Sequence, residues 1–139
     1  MYQREFELDE LSDVAVDILK ISKDSRIFCL KGDLGAGKTT LVESICHKLA
    51  SNDQFSSPTF SILNEYAYPE GIIMHADLYR IQNREELIDI GLDDYLDRGD
   101  YCFIEWYQVA ETMLPTPYYI ISLEYKSEDC RLISIELIQ

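Results

Sequence analysis

Positively charged residues are scarce in this 139-residue chain, which has 12 lysines and arginines against 26 aspartates and glutamates and a formal net charge of −14. Long-range repulsion therefore disfavours a nucleic-acid backbone as a direct primary ligand. A small phosphorylated ligand is not excluded, because backbone amides, one lysine and a metal ion act at short range. The acidic surface favours water, divalent cations or a basic protein as its neighbours.

Long apolar runs are also missing. No stretch approaches the ~20 apolar residues that a membrane-spanning helix needs. The segment Met1–Phe6 lacks the charged and then apolar layout of a secretory signal. We therefore expect a cytoplasmic protein that does not enter a membrane, folded as one domain over residues 1–139, since single domains cluster near this length.

The four cysteines lack the C-x-x-C spacing that is typical of zinc or redox sites. Cys29 and Cys102 lie inside apolar, strand-like runs, where a free cysteine behaves as a small hydrophobic residue. The sequence predicts buried, reduced thiols in preference to disulfides or a zinc site.

Glycine is rare as well, but three of the six glycines lie between Gly32 and Gly37, in the pattern G-x-x-x-x-G-K-T. A strand predicted at Arg26–Lys31 precedes this loop and a helix predicted at Thr39–Ala50 follows it, as a phosphate-binding loop (Walker A motif, or P-loop) requires. Lys38 would reach the β- and γ-phosphates, and the Thr39 hydroxyl would ligate magnesium. The predicted nucleotide-binding residues of the loop are Asp33, Leu34, Gly35, Ala36, Gly37, Lys38, Thr39 and Thr40.

A phosphate loop needs an acidic partner for magnesium, usually at the end of an apolar strand. Asp77 and Glu105 each close such a strand, and spacing alone leaves open which of them meets the metal. His75 could act as a base, although a lone histidine beside strand residues is more often structural. Trp106 either belongs to the core or flanks the nucleotide.

The remaining pattern predicts an α/β fold: a single P-loop NTPase-like domain with a mixed central sheet flanked by helices and a C-terminal antiparallel hairpin. We predict a loop at residues 56–60, because Pro58 disfavours the helical conformation in the residue before it. Further predicted elements are helices at Leu8–Ile21, from Arg84 toward Ile90 with Asn83 as cap, and at Asp93–Leu96, and strands at Ser61–Tyr68, Ile72–Tyr79, Tyr101–Trp106, Tyr118–Tyr125 and Arg131–Ile138.

Four motifs occur in a specific order: the glycine loop from Gly32 to Thr40, then S-P-T-F at 57–60, H-A-D-L-Y-R at 75–80, and I-E-W at 104–106. In this order they resemble the TsaE (formerly YjeE) family, small bacterial ATPases that serve biosynthesis of the threonylcarbamoyladenosine (t6A) modification of tRNA. The likeness spans over half of the chain. One departure is Tyr107, where the family often has proline, and it affects a turn more than the chemistry.

The resemblance implies a cofactor, Mg²⁺–ATP, and roles for particular residues. Lys38 would bind phosphate, Thr39 and Glu105 would hold magnesium, and both Lys38 and Glu105 would act in catalysis. Thr59 would lie in a switch-like loop near the γ-phosphate, Asp77 would be a catalytic acid that orients the attacking water or the metal, and Trp106 would flank the nucleotide. ATP hydrolysis, slow in the isolated protein, would drive turnover of a complex with TsaB and TsaD, which hold the tRNA, so that this chain meets tRNA only indirectly.

Two other functions remain open on the residues alone. One is a small-molecule kinase, which shares the loop but usually brings an arginine-bearing lid. The other is a binding module that uses ATP without hydrolysing it, to order the loop 56–60 for a partner. The pattern also leaves open the base preference, the general base, the oligomeric state and the partner-binding surface.

Overall fold

The computed structural model describes residues 2–33, 35–56, 58 and 61–139. Within these residues the strands are β1 (Tyr2–Glu7), β2 (Ile27–Lys31), β3 (Leu63–Tyr68), β4 (Gly71–Asp77), β5 (Tyr101–Glu105), β6 (Tyr118–Tyr125) and β7 (Cys130–Ile138). The α-helices are α1 (Leu11–Ile21), α2 (Lys38–Lys48), α3 (Arg84–Asp89) and α4 (Leu92–Arg98), and short 3₁₀ segments cover Leu8–Glu10 and Tyr107–Met113.

The strands form one sheet in the order β1-β7-β6-β2-β5-β4-β3. The centre is parallel: β2 pairs with both β5 and β6, and β4 pairs with β5. The flanks are antiparallel, with β3 against β4, β6 against β7, and β1 against β7. The predicted mixed α/β sheet with a C-terminal hairpin is thereby confirmed.

Helices cover both faces of the sheet because its central strands are apolar on both sides. On one face, under α1 and α2, the Phe28 ring stacks on Phe103 at 5.1 Å and on Tyr119 at 5.4 Å between ring centroids. The opposite face packs under α3, α4 and the 3₁₀ segment 107–113, around Met74 and Ile104. The glycine loop leaves the sheet between these two layers.

The sequence prediction missed two elements. β1 has a single buried side chain, Phe6, and so carries little hydrophobic signal; its pairing with β7 makes it a strand. The 3₁₀ segment 107–113 follows Trp106 and buries Tyr107 and Ala110. The predicted cap of α3 is confirmed, since the Asn83 side chain accepts a hydrogen bond from the Glu86 amide at 3.0 Å.

The thiol prediction is confirmed for three cysteines. Cys29, Cys46 and Cys102 are buried and free, while Cys130 is half-buried and free. Burial raises the pKa of Cys46 to about 12 and that of Cys102 to about 12, because an apolar environment disfavours the thiolate.

Among the described residues, no helix combines the length and the hydropathy that crossing a bilayer would take.

Candidate functional site

The glycine loop connects the carboxyl end of β2 to the first turn of α2, where ligands of parallel sheets commonly bind. Two of its glycines are required by geometry. A Cβ on Gly32 would lie 2.6 Å from the Leu123 carbonyl oxygen of β6, so only glycine fits there. Gly37 caps α2 with φ of 102°, a conformation that other residues rarely adopt.

Lys38, the first residue of α2, is held over the loop. Its side chain is buried, and its Nζ donates a hydrogen bond to the Gly32 carbonyl at 2.7 Å. The same ammonium lies 4.8 Å from the centroid of the Trp106 ring, and Trp106 in turn packs on Tyr79 at 5.0 Å. The positive charge is therefore fixed at the glycine loop, and Trp106 forms a partly exposed wall beside it.

A second cluster, the carboxylate side, consists of Thr39, His75 and Glu105. The Glu105 carboxylate is buried, and one of its oxygens accepts a hydrogen bond from the Thr39 hydroxyl at 3.0 Å. The same oxygen lies 2.6 Å from the Nε2 atom of the fully buried His75. A buried carboxylate requires such partners, because burial without them would be strongly unfavourable.

Sheet register explains how these groups meet. Asp77, the last residue of β4, pairs with Glu105, the last residue of β5. His75 lies two residues before Asp77 and so points to the same face of the sheet. Of the two candidate acids, Glu105 contacts Thr39, while Asp77 lines the cleft and accepts a hydrogen bond from the Tyr79 amide at 3.1 Å.

These groups surround a cleft of about 240 Å³. The predicted site residues that line it are Gly35, Gly37, Lys38, Thr39, Thr40, Asp77, Glu105 and Trp106. Asp33 lies in an adjoining cavity on the other side of Lys38, and the buried Ala36 lines a third cavity behind the loop. Leu34 and Thr59 lie outside the described residues.

The donor set of the cleft suits a phosphorylated ligand with a hard cation. Glycine-loop amides, the N-terminus of α2 and Lys38 are donors for phosphate oxygens. Thr39 and Glu105 supply adjacent oxygens, the ligand type that Mg²⁺ prefers. The part of the chain that the structure describes holds no cluster of three His, Cys, Asp or Glu suited to a metal. A cation held by one or two protein oxygens together with phosphate oxygens needs no such cluster.

Comparison of the chain with known proteins assigns it to a family. The model of the family described as "Threonylcarbamoyl adenosine biosynthesis protein TsaE" matches residues 6–133. The chain belongs to the TsaE family. The match extends well beyond the four motifs, from β1 into β7, and so includes both flanks of the sheet.

Individual relatives agree with this assignment, and those compared are named tRNA threonylcarbamoyladenosine biosynthesis protein TsaE. The chain is 36% identical to the protein of Rickettsia bellii, over 91% of this chain and 88% of that one. It is 36% identical to the Haemophilus influenzae protein (87% and 75%) and 32% identical to that of Bacillus subtilis (91% and 78%). A solved structure titled as Bacillus subtilis YdiB superposes with a TM-score of 0.71 at 26% identity, covering 99% of this chain and 87% of that one.

Sequence reasoning did not predict the contacts of two buried residues beside the site. For His75 it weighed a base against a structural role and favoured the structural one, and the structure places its ring against the carboxylate of Glu105. Its position two residues before Asp77, on the same strand face, was the available signal. Arg131 was not among the predicted site residues, but its guanidinium donates a hydrogen bond to the Ala36 carbonyl. No local pattern signals that contact, because the two residues are 95 positions apart.

Proposed function

We propose that this protein binds Mg²⁺–ATP and hydrolyses it as a subunit that serves t6A modification of tRNA together with TsaB and TsaD. The contact between Thr39 and Glu105 carries the proposal. It joins the residue after the P-loop lysine to a strand-end carboxylate at 3.0 Å. In P-loop NTPases these two positions hold the magnesium ion. Magnesium, when bound, would neutralise charge on the phosphates during transfer to water.

The other groups of the cleft have roles that fit the same reaction. Lys38 would move its hydrogen bonds from the Gly32 carbonyl to phosphate oxygens, since its ammonium already lies at the loop. Asp77, which is half-buried at the end of β4 and lines the cleft, would accept a hydrogen bond from the attacking water. Trp106 and Tyr79 would shield one side of the cleft from bulk solvent.

The adenine base of the nucleotide would lie behind the loop. A cavity of about 240 Å³ there has mainly apolar walls, which include Phe6, Leu8 and Leu11. A purine needs a cleft of this kind, with apolar walls and few polar groups. The cavity shares Gly35, Gly37 and Thr40 with the cleft that holds Lys38, so one nucleotide could extend across both.

The t6A role and the TsaB and TsaD partnership draw on the family assignment and on charge. The names of the relatives refer to tRNA threonylcarbamoyladenosine biosynthesis. A net charge of −14 disfavours direct binding of tRNA, which suits a subunit whose partners hold the nucleic acid.

The test is phosphate release from ATP by the purified chain, alone and with TsaB and TsaD, with and without Mg²⁺. We expect slow, Mg²⁺-dependent release that rises when both partners are added. Lys38→Ala should weaken ATP binding by about 100-fold or more, because two charge-assisted hydrogen bonds of 1.5–3 kcal/mol each are lost. Calorimetric titration measures that affinity.

Lys48→Ala is the matched control, because Lys48 is exposed and ends the same helix that Lys38 begins. It should bind ATP like the parent chain. Equal affinity of the Lys38→Ala variant would overturn the phosphate-loop assignment. ADP formation that requires an added acceptor and leaves the phosphoryl group on that acceptor, with no free phosphate, would indicate a kinase. ATP binding with no ADP formed in any mixture would indicate a binding module without hydrolysis.

A further inference from the structure

Arg131 is a buried arginine near the start of β7, far from the sequence motifs of the cleft. Its side chain is buried, and its guanidinium packs on the Tyr125 ring at 4.6 Å. A guanidinium has five N–H donors and cannot be neutralised at ordinary pH, so its burial requires acceptors. The acceptors here are carbonyl oxygens from two separate segments of the chain.

One segment is the turn between β6 and β7. The Nη1 atom of Arg131 donates to the Ser127 carbonyl at 2.7 Å, with the Cys130 carbonyl at 3.1 Å and the Glu128 carbonyl at 3.3 Å. The other segment is the glycine loop, where Nε donates to the Ala36 carbonyl at 3.2 Å. One planar group therefore ties the tip of the C-terminal hairpin to the phosphate-binding loop.

This contact has a direct consequence for the loop. A trans peptide is planar, with its C=O and N–H groups pointing in opposite directions. Because the Ala36 carbonyl faces Arg131, the amide of Gly37 in the same peptide must point away from Arg131. Gly37 also lines the cleft that holds Lys38 and Thr39, so its amide is among the donors that a phosphate would use.

The hairpin supports the loop at a second point. Gly32, at the start of the loop, lies against the Leu123 carbonyl of β6 so closely that a Cβ would be 2.6 Å from that oxygen. Both ends of the loop thus rest on the β6–β7 hairpin, Gly32 on Leu123 and Ala36 on Arg131. Charge-assisted hydrogen bonds from a rigid fork fix orientation more firmly than a lysine could.

We propose that Arg131 is a positioning residue for the phosphate-binding loop: it fixes the Ala36–Gly37 peptide so that the Gly37 amide faces the phosphates. The inference rests on the proposed nucleotide site and adds to it a residue outside the motifs. We call Arg131, Ala36 and the turn 127–130 the arginine side of the loop.

The test compares Arg131→Met with Arg4→Met, each of which removes one positive charge. Arg4 lies on β1, is partly exposed and pairs with Glu10 and Asp17, away from the loop. The probes are ADP and tripolyphosphate, both without metal, titrated by calorimetry. Arg131→Met should weaken both by about 10-fold or more, because a misoriented Gly37 amide would lose one hydrogen bond to a charged phosphate, while Arg4→Met should change neither.

Tripolyphosphate separates two roles, because Arg131 also borders the apolar cavity behind the loop. A loss of ADP affinity with unchanged tripolyphosphate affinity would mean that Arg131 contacts the base, and would overturn the inference. Arg131→Lys keeps the charge but not the fork, and should also bind both probes more weakly. Parental affinity in that variant would mean that charge alone suffices and would equally overturn the inference.

A measurement without ligand makes the test independent of the proposed function. The amide resonance of Gly37 in the nucleotide-free protein should shift in Arg131→Met and Arg131→Lys but not in Arg4→Met. An unmoved Gly37 resonance in a folded Arg131 variant would overturn the inference. Failure of the parent chain to bind either probe would instead count against the nucleotide site itself.

Discussion

The two sides of the glycine loop hold buried charge in different ways. On the carboxylate side, Glu105 is buried against two side chains, Thr39 and His75, that come from neighbouring elements of the sheet and α2. On the arginine side, Arg131 is buried against main-chain carbonyls of the loop and of the hairpin turn. The first arrangement leaves oxygens facing the cleft, while the second stabilises backbone.

This difference indicates separate tasks. A cluster of side-chain oxygens at the cleft can hold a cation, and its affinity for the cation depends on which side chains supply those oxygens. A guanidinium bonded to main-chain carbonyls fixes the orientation of those peptide groups. This effect does not depend on which side chains contact the ligand. Among the described residues the buried polar and charged side chains are Lys38, His75, Glu105 and Arg131. Lys38, Glu105 and Arg131 bond to residues of the loop or of the first turn of α2, and His75 bonds to Glu105. Buried charge is costly, so its concentration at one place favours function over stability as its cause.

The largest expected effect comes from the carboxylate side. Glu105→Gln keeps the shape of the side chain but removes the anionic oxygen that would hold Mg²⁺, so the rate of ATP hydrolysis should fall by about 100-fold or more. The affinity for metal-free ADP should stay within about twofold of the parent, because the arginine side and Lys38 are intact. Phosphate release and calorimetric titration measure the two quantities.

Glu124→Gln is the control for that change, since Glu124 is an exposed carboxylate at the end of β6 paired with Lys126. It should leave both the rate and the Mg²⁺ dependence unchanged. If Glu105→Gln hydrolyses ATP at the parental rate with the same Mg²⁺ requirement, Glu105 does not hold the metal and the division between the two sides fails.

A smaller effect is expected from the partner of Glu105. His75→Phe retains a ring that can pack on Phe55, as the His75 ring does at 5.8 Å, but loses the nitrogen that contacts Glu105. Loss of such an outer partner typically costs 10–100-fold in metal affinity. We therefore expect the Mg²⁺ concentration for half-maximal hydrolysis to rise by about 10-fold or more, with metal-free ADP affinity unchanged.

His47→Phe makes the same chemical change at an exposed position on α2 and should leave the Mg²⁺ requirement as it was. His75→Gln, whose amide can still donate to Glu105, should recover part of the lost metal affinity. An unchanged Mg²⁺ requirement in folded His75→Phe would reduce His75 to a packing residue.

The smallest expected effect concerns the access of a thiol reagent to Cys130 on the arginine side. Cys130, next to Arg131, is half-buried, whereas Cys29, Cys46 and Cys102 are buried. The raised thiol pKa of Cys46 and Cys102, about 12 for each, keeps both protonated at pH 8, and a protonated thiol is a poor nucleophile. Titration with a thiol reagent at pH 8 should therefore modify about one thiol per native chain and four in denaturant. Rapid native modification of two or more thiols would contradict the packing described here.

The site was predictable from the sequence where it is built from local patterns. The glycine loop has a fixed spacing, and Asp77 and Glu105 each end an apolar strand. Carboxyl ends of parallel strands share one edge of a sheet, so both acids were expected near Lys38 and Thr39. Spacing and pattern left the choice between the acids open, because it depends on how α2 sits on the sheet and so on which carboxylate the Thr39 hydroxyl reaches; only the family resemblance favoured Glu105 for the metal.

The fold shows the same limit. Strands with strong apolar content, such as β2 and β5, were predicted within a residue or so of their bounds. β1 was missed because Phe6 is its single buried side chain, and the 3₁₀ segment 107–113 because its turns have no strong period. Both depend on neighbours that are remote in sequence.

By itself, the sequence determined which groups this chain has available: a glycine loop with P-loop spacing, one lysine, a threonine and two strand-end acids. Spacing and hydrophobic pattern are local features of the sequence, so they can be recognised without knowledge of the fold. The tertiary structure alone decided that Glu105 meets Thr39, that His75 backs that carboxylate, and that Arg131 reaches the Ala36 carbonyl from 95 residues away. Those contacts are set by the register of strands and by the docking of a hairpin, which no short stretch of sequence encodes.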